Sequence, residues 1–173
     1  HFDRFATHLA RVLAGKKDPL IVEIGCNDGV LLGPLRARGL RAVGVEPAEN
    51  VANVARSRGL KVENGFFGMP LAQRILKRDG EAAAVVASNV FAHIDNLDDV
   101  LNGIATLLRP DGGFIFEVHY LRELLRLMQY DFFYHEHLCY YSLTALVPLL
   151  ARFGFQLFDA QPIPIHGGSI RVY

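Results

Sequence analysis

"LIVEIGCNDGVLL", residues 20–32, decides the fold. Leu20 to Gly25 reads as a short, mostly apolar strand, and a helical pattern takes over from Val30 to Arg38. Between them Gly25 and Gly29 flank Asn27 and Asp28. Glycines at a strand-to-helix turn let the backbone come close to a ligand, and the helix that follows offers unpaired N–H groups. The stretch predicts a βα unit with a ligand-binding loop at its turn.

The same alternation runs outward from it. Strands are expected at Arg41–Glu46, Leu60–Asn64, Ala82–Ser88, Gly113–Val118, Phe155–Ala160 and "SIRVY" at the end, seven with the first. Helical patterns fill the gaps at Glu49–Arg58, Pro70–Arg78, Leu97–Leu108, Leu121–Met128 and Leu143–Phe153. Ser142 is the expected N-cap of the last helix, Pro148 should bend it or restrict its start, and Gly154 is a natural stop. "RPDGG", Arg109–Gly113, reads as a turn. The pattern predicts an α/β domain on a largely parallel sheet.

At the end of the second strand, Glu46 in "GVEPA" stands where an acid accepts hydrogen bonds from ribose hydroxyls. A dinucleotide fold wants G-x-G-x-x-G, but the second glycine position is Asn27, and Asp28 would repel a pyrophosphate. A cationic sulfonium with an amino-acid tail suits an acidic loop better, which points to S-adenosylmethionine. A plain tight turn with Asp28 as a helix cap stays open as the other reading. "ENGFFG", Glu63–Gly68, offers Phe66 or Phe67 to cover an adenine face, or to join the core. "ASNVFAHI" puts Ser88, Asn89 and His93 on the same edge of the sheet.

Bulk properties narrow the class. The 173 residues, 51% of them hydrophobic, suffice for one domain with a sizeable core. Lys+Arg and Asp+Glu are both 18, so no global field favours nucleic acid. The longest apolar runs fall far short of the roughly 20 residues that span a membrane, so a soluble protein without membrane contact is expected. Two cysteines, Cys26 and Cys139, without CxxC spacing, argue against a disulfide framework and fit a reducing cytoplasm. The chain starts at His1 inside an amphipathic pattern and stops within an apparent strand, as a piece of a longer protein would.

"EIGCNDG", "GVEPA", "NGFF" and "SNVFAHI", continued by "FIFEVHYL", "YHEHLCYYSL" and "HGGSIRVY", resemble the central domain of bacterial sugar C-methyltransferases acting on nucleotide-linked ketosugars. The resemblance covers nearly the whole chain and is most specific in "YHEH" and "HGGS". It implies a class I methyltransferase Rossmann-like fold: a seven-stranded, mostly parallel sheet with helices on both faces. It also implies S-adenosylmethionine contacts from Glu23, Gly25, Asn27, Asp28, Gly29, Glu46, Pro47, Asn64, Phe66, Phe67, Ser88 and Asn89. Members of the family carry a cysteine-rich zinc-binding segment before this domain and a further domain after it; with two cysteines this chain cannot hold that zinc, and no metal is expected in it. The expected partner is a nucleotide-linked ketosugar, and the expected state is a monomer or weak homo-oligomer.

A methyl group goes onto carbon only if that carbon becomes a nucleophile, which a sugar carbon beside a ketone does by losing a proton to form an enolate. This takes a base and a partner for the developing oxyanion. Histidine, with an ordinary pKa of about 6.5, suits the first task, and a general base contributes about 10²–10⁴-fold, roughly 3–5 kcal/mol of barrier. A second His, or a Tyr hydroxyl, can stabilise the oxyanion. The resemblance makes Tyr134, Glu136, His137 and His93 the catalytic group. The preferred assignment has His137 as base and His93 polarising the ketone, with the reverse open, and Glu136 orienting an imidazole. In an extended segment Glu136 and His137 would face opposite ways, so they serve one centre only if the segment is irregular. His119, Tyr120, His135, His166 and Gly167 are candidates for substrate contact, an ordinary turn being the other reading of "IHGGS". His-Glu-His as a metal site lacks the HExxH spacing, and His1 and His8 read as surface residues.

Overall fold

β1, Leu20–Ile24, is buried at every position, because it has a strand on each side and helices above and below. The computed structural model describes all of residues 1–173. β1 pairs in parallel with β2 (Arg41–Glu46) and with β4 (Ala82–Ser88). β3 (Val62–Asn64) lies outside β2, and β5 (Leu108–His119) outside β4. β7 (Ser169–Val172) runs antiparallel to β5, and β6 (Ala160–Ile163) closes the edge, for the order β3-β2-β1-β4-β5-β7-β6. The chain works outward from β1 to β3 and then jumps back across β1 to β4. The crevice at the carboxyl ends of these strands is where open α/β sheets hold ligands.

Strand alternation divides the core in two. Ile21, Ala84, Val86 and Ile115 meet Phe5 and Leu9 of α1 (Phe2–Val12) and Leu35 of α2 (Leu32–Ala37). Val22, Val43, Val85 and Phe116 meet α4 (Met69–Asp79), α5 (Leu97–Leu107) and α7 (Leu143–Ala151) on the other face. α3 (Glu49–Ser57) packs Ala52 and Ala55 on Cys26, Leu32 and Val62, and α6 (Leu121–Arg126) follows β5. Helices on both faces of a mostly parallel seven-stranded sheet are what the sequence predicts. The expected cap is there: Ser142 Oγ accepts from the Ala145 N–H at 3.2 Å; Asn96 Oδ1 caps α5 in the same way, accepting from the Asp99 N–H at 3.1 Å.

Three expectations change. "RPDGG" is no free turn; it lies within β5, where Ala82 pairs with Leu108 but Ala84 with Gly113. The residues between are surplus to the register, so turn-forming types serve a bulge. The sixth strand is Ala160–Ile163 rather than Phe155–Ala160. Phe155 and Leu157 do pack on the core as alternation suggests, but the continuous pairing with β7 begins only at Ala160. His1 and His8 are engaged: His1 Nε2 lies 2.9 Å from the buried Glu117 carboxylate, which also takes the Arg171 guanidinium, and His8 Nε2 lies 3.0 Å from the Tyr173 hydroxyl.

Gly44 on β2 shows how tightly the first loop is packed. A Cβ there would lie 2.4 Å from Cys26 Sγ and 2.6 Å from Leu32 Cδ1. Gly44→Ala is therefore expected to cost about 1–3 kcal/mol in urea unfolding.

Candidate active site

The carboxyl end of β1 turns at Gly25, whose φ of 68° is left-handed and whose Cβ would strike Val90 Cγ2 at 2.4 Å. Asn27 follows, also left-handed at φ 51°, a conformation Asn tolerates better than most residues. Its backbone N–H donates to Glu46 Oε2 at 3.0 Å, while Glu46 Oε1 accepts from the Ala48 N–H at 2.9 Å. The acid at the end of β2 thus clamps the loop after β1 while each oxygen keeps a lone pair for a ligand.

A cleft of about 560 Å³ opens above this clamp. Gly25, Asn27, Glu46, Pro47, Phe66, Phe67, Ser88, Asn89 and His93 all line it, as expected. Phe66 is 86% exposed and free to cover a flat ring, whereas Phe67 belongs to the core. The lining also has Asp95, Asn96 and Asp99, which sequence reasoning missed. Asn96 and Asp99 sit at the start of α5, where such residues are ordinary capping chemistry, so nothing in the sequence marks them as a site.

Four residues expected at the cofactor do not line the cleft. Asp28 turns to Arg58, 2.9 Å away, so the loop's acidity faces a cation of the protein. Gly29 is packed beneath, its Cβ position 2.2 Å from Leu60 Cδ1. Asn64 Nδ2 donates to the carbonyls of Glu46 and Pro47, holding the β2 end. Glu23 is only 2% exposed, and its Oε2 is buried without a partner. Burial first, and Glu46 second, push its carboxyl well above the usual carboxylate range.

His93 lines the cleft and His137 packs against it. His93 ends the 3-10 turn Phe91–His93 after β4, and its Nδ1 lies 2.8 Å from the Glu136 carbonyl. A carbonyl only accepts, so Nδ1 carries the proton and neutral His93 has its lone pair on Nε2. His137, 8% exposed, repeats the arrangement: Nδ1 donates to the Phe132 carbonyl at 3.1 Å, and Nε2 accepts from the Tyr134 hydroxyl at 3.0 Å. The two rings are 5.0 Å apart, centre to centre. The segment is irregular, as a shared centre requires: the His137 N–H closes a turn onto the Tyr134 carbonyl at 3.0 Å.

Glu136 is corrected. It orients an imidazole through its backbone carbonyl, while its exposed carboxylate makes no hydrogen bond. His135 is exposed and takes no hydrogen bond from the cluster. Tyr120 pairs with Tyr141 as an isolated bridge, and its N–H donates to the Gly168 carbonyl at 3.2 Å, which is structural work. His119 packs against His137 at 5.2 Å and against His166 at 5.5 Å, and the Gly167 carbonyl accepts from Gln129.

Sheet order, crevice and acidic lining together define a class I methyltransferase domain. Its cleft has no Lys or Arg in its lining, and Ser88 Oγ and Asn89 Oδ1 at the end of β4 are buried in it without partners. Those features suit a cationic, hydroxyl-rich cofactor such as S-adenosylmethionine and oppose a pyrophosphate. The chain belongs to the methyltransferase domain family, whose profile matches residues 1–160. It is 43% identical over 154 residues to the C-methyltransferase NovU of Streptomyces niveus, covering 89% of this chain and 37% of that protein. It is 26% identical over 106 residues to a ubiquinone biosynthesis O-methyltransferase of Bordetella bronchiseptica, covering 60% of this chain and 42% of that one. The chain thus spans well under half of either relative. Among solved structures, magnesium protoporphyrin IX methyltransferase from Synechocystis with bound S-adenosylhomocysteine superposes with a TM-score of 0.71 at 16% identity, covering 98% of this chain and 81% of that one. The glycopeptide N-methyltransferase MtfA complexed with S-adenosylmethionine gives 0.69 at 14%, covering 98% and 92%. No helix is long and apolar enough to cross a membrane.

Glu23 yields a pH prediction. Its folded pKa is raised, so above the unfolded value of about 4.3 the unfolded chain ionises it freely while the fold must keep it protonated. The resulting loss of stability grows as pH rises toward the folded pKa. Glu23→Gln should therefore be more stable than the parent in urea unfolding at pH 7, and the difference should vanish below pH 4.

Proposed function

We propose that the protein transfers a methyl group from S-adenosylmethionine to the carbon beside the ketone of a nucleotide-diphospho-ketodeoxysugar, through an enolate. One observation carries the reading: two imidazoles, each with Nδ1 fixed on a backbone carbonyl, pack 5.0 Å apart, one of them in the lining of the cleft. Methylation of a good oxygen or nitrogen nucleophile needs no such pair, whereas taking a proton from carbon needs both a base and an oxyanion partner. The closer identity to a protein named as a C-methyltransferase than to the named O-methyltransferase supports the same choice.

In this reading Glu46, Asn27, Ser88 and Asn89 hold the cofactor, and Phe66 covers its base. When bound, that cofactor supplies an electrophilic methyl group. His137 is the base: Nε2 is its acceptor atom, covered at rest by the Tyr134 hydroxyl. Tyr134 turns that hydroxyl onto the ketone oxygen when substrate enters, which uncovers Nε2. His93 is the second donor to the oxygen; since its Nδ1 proton is spent on Glu136, it donates from Nε2 only as the imidazolium. His135, His166 and Gly167 flank the sugar or diphosphate. Segments of the longer protein, a cysteine-rich zinc-binding one among them, complete the substrate site in the cytoplasm.

Two measurements test this on the protein with its flanking segments. Product analysis should find the new methyl on carbon; a methyl on oxygen or nitrogen would overturn the reading. His137→Phe should lose deuterium wash-in at the substrate carbon by about 10²–10⁴-fold, and wash-in at the parent rate would remove it from the base role.

A further inference from the structure

The imidazoles do not stop at this pair. His93, His137, His119 and His166 follow one another with ring centres 5.0, 5.2 and 5.5 Å apart. The file starts in the lining of the cleft, passes through buried His137 and half-buried His119, and ends at His166, exposed on the turn between β6 and β7. His119 is the member without a task in the mechanism above. Its Nε2 is buried with no hydrogen-bond partner, a rare state for a ring nitrogen. Burial, then the charges of His137, His166 and His93, hold its pKa down to about 4. Phe132 links it to the base: the ring of Phe132 packs on His119 at 4.6 Å, and the carbonyl of Phe132 takes the Nδ1 proton of His137. His137 and His119 therefore share Phe132 as a neighbour.

We propose that His119 and His166 form the exit leg of a proton path that regenerates the base after each turnover. The inference rests on the enolate reading. In that reaction the substrate C–H bond breaks and leaves its electron pair on carbon, while the proton enters His137 at Nε2. The carbon pair then bonds the methyl group, sulfur keeps the pair of the broken S–C bond, and one proton must leave. The proton taken up at Nε2 of His137 passes to His119 Nε2 and on to His166 and the solvent, which leaves Nδ1–H of His137 on the Phe132 carbonyl and Nε2 free to accept again. No hydrogen bond joins these rings at rest, so a small ring rotation or one bridging water completes each step. A weakly basic middle ring releases the proton instead of trapping it.

The test uses the protein with its flanking segments, S-adenosylhomocysteine in the cofactor cleft, and deuterium wash-in at the substrate carbon. His119→Phe should slow wash-in by about tenfold or more in dilute buffer, the scale of one lost acid–base group. His166→Asn should slow it to a smaller extent, and added imidazole should restore both in proportion to its concentration. Wash-in at the parent rate in both variants would overturn the path. So would a loss that imidazole leaves unchanged while calorimetry shows normal S-adenosylhomocysteine binding. His166→Asn, on an exposed turn whose φ of 48° Asn tolerates, decides the matter should His119→Phe fail to fold. A parent protein that shows no wash-in sinks the enolate reading itself, a result distinct from failure of the path.

Discussion

The active-site arrangement hangs on how residues 132–141 are docked onto the turn after β4. The Ala92 carbonyl accepts from the N–H groups of Leu138, at 2.8 Å, and Cys139, at 3.3 Å; the buried Tyr141 hydroxyl donates to the Phe91 carbonyl at 2.9 Å. His93 returns the grip by donating to Glu136. These contacts pair backbone groups of an irregular segment in which only His137 and Tyr141 are buried, and so tie it to the turn. Beneath them Phe91 is fully buried and stacks on Phe116 at 5.0 Å, which ties the turn to the middle of the sheet. The position of His137 relative to His93 thus derives from the sheet, although no regular element carries either ring.

Much of the fold was legible because it rests on local rules. Apolar runs gave β1, β2, β4 and β5, and the side-chain cap at Ser142 began α7. What misled were residues whose local meaning is overridden at a distance. Arg109–Gly113 has turn composition, yet pairing with β4 on either side stretches it into a bulged strand. Asp28 reads as a ligand contact until Arg58, thirty residues away, is seen to claim it. At the site the identities were readable in "FAHI" and "YHEH", but the atoms were not. Orientation of His93 by the carbonyl of Glu136, and not its carboxylate, has no sequence signal, since every residue carries a carbonyl.

The site separates two electrostatic environments along one edge. Toward β1 and β2 the lining holds the Glu46 carboxylate and no protein cation, and Arg58 beside the loop is spent on Asp28. Toward β5 the polar groups are imidazoles, and the nearest buried carboxylate, Glu117, is already committed to Arg171 and His1. A cation is welcome on the first side. On the second, a proton finds bases but no fixed anion to hold it, which suits a group that must be charged and discharged each cycle.

A short stretch of chain joins the two. Ser88 and Asn89 end β4 in the cleft, and His93 follows four residues later across the same turn. Asn89 is left-handed at φ 55°, and its N–H donates to the Glu117 carbonyl of β5 at 2.8 Å, so the turn leaves the sheet at a fixed angle. Backbone held in this sparsely populated region persists only where surrounding contacts over-determine it, and here Val90 is also wedged against Gly25. The spacing between the cleft-lining Asn89 and the His93 ring is therefore set by covalent geometry across Asn89–His93 and by the packing that fixes its two ends. A displacement of β4 by one residue in register would move both together. The spacing that the chemistry needs would survive it, whereas the docking of residues 132–141 would not.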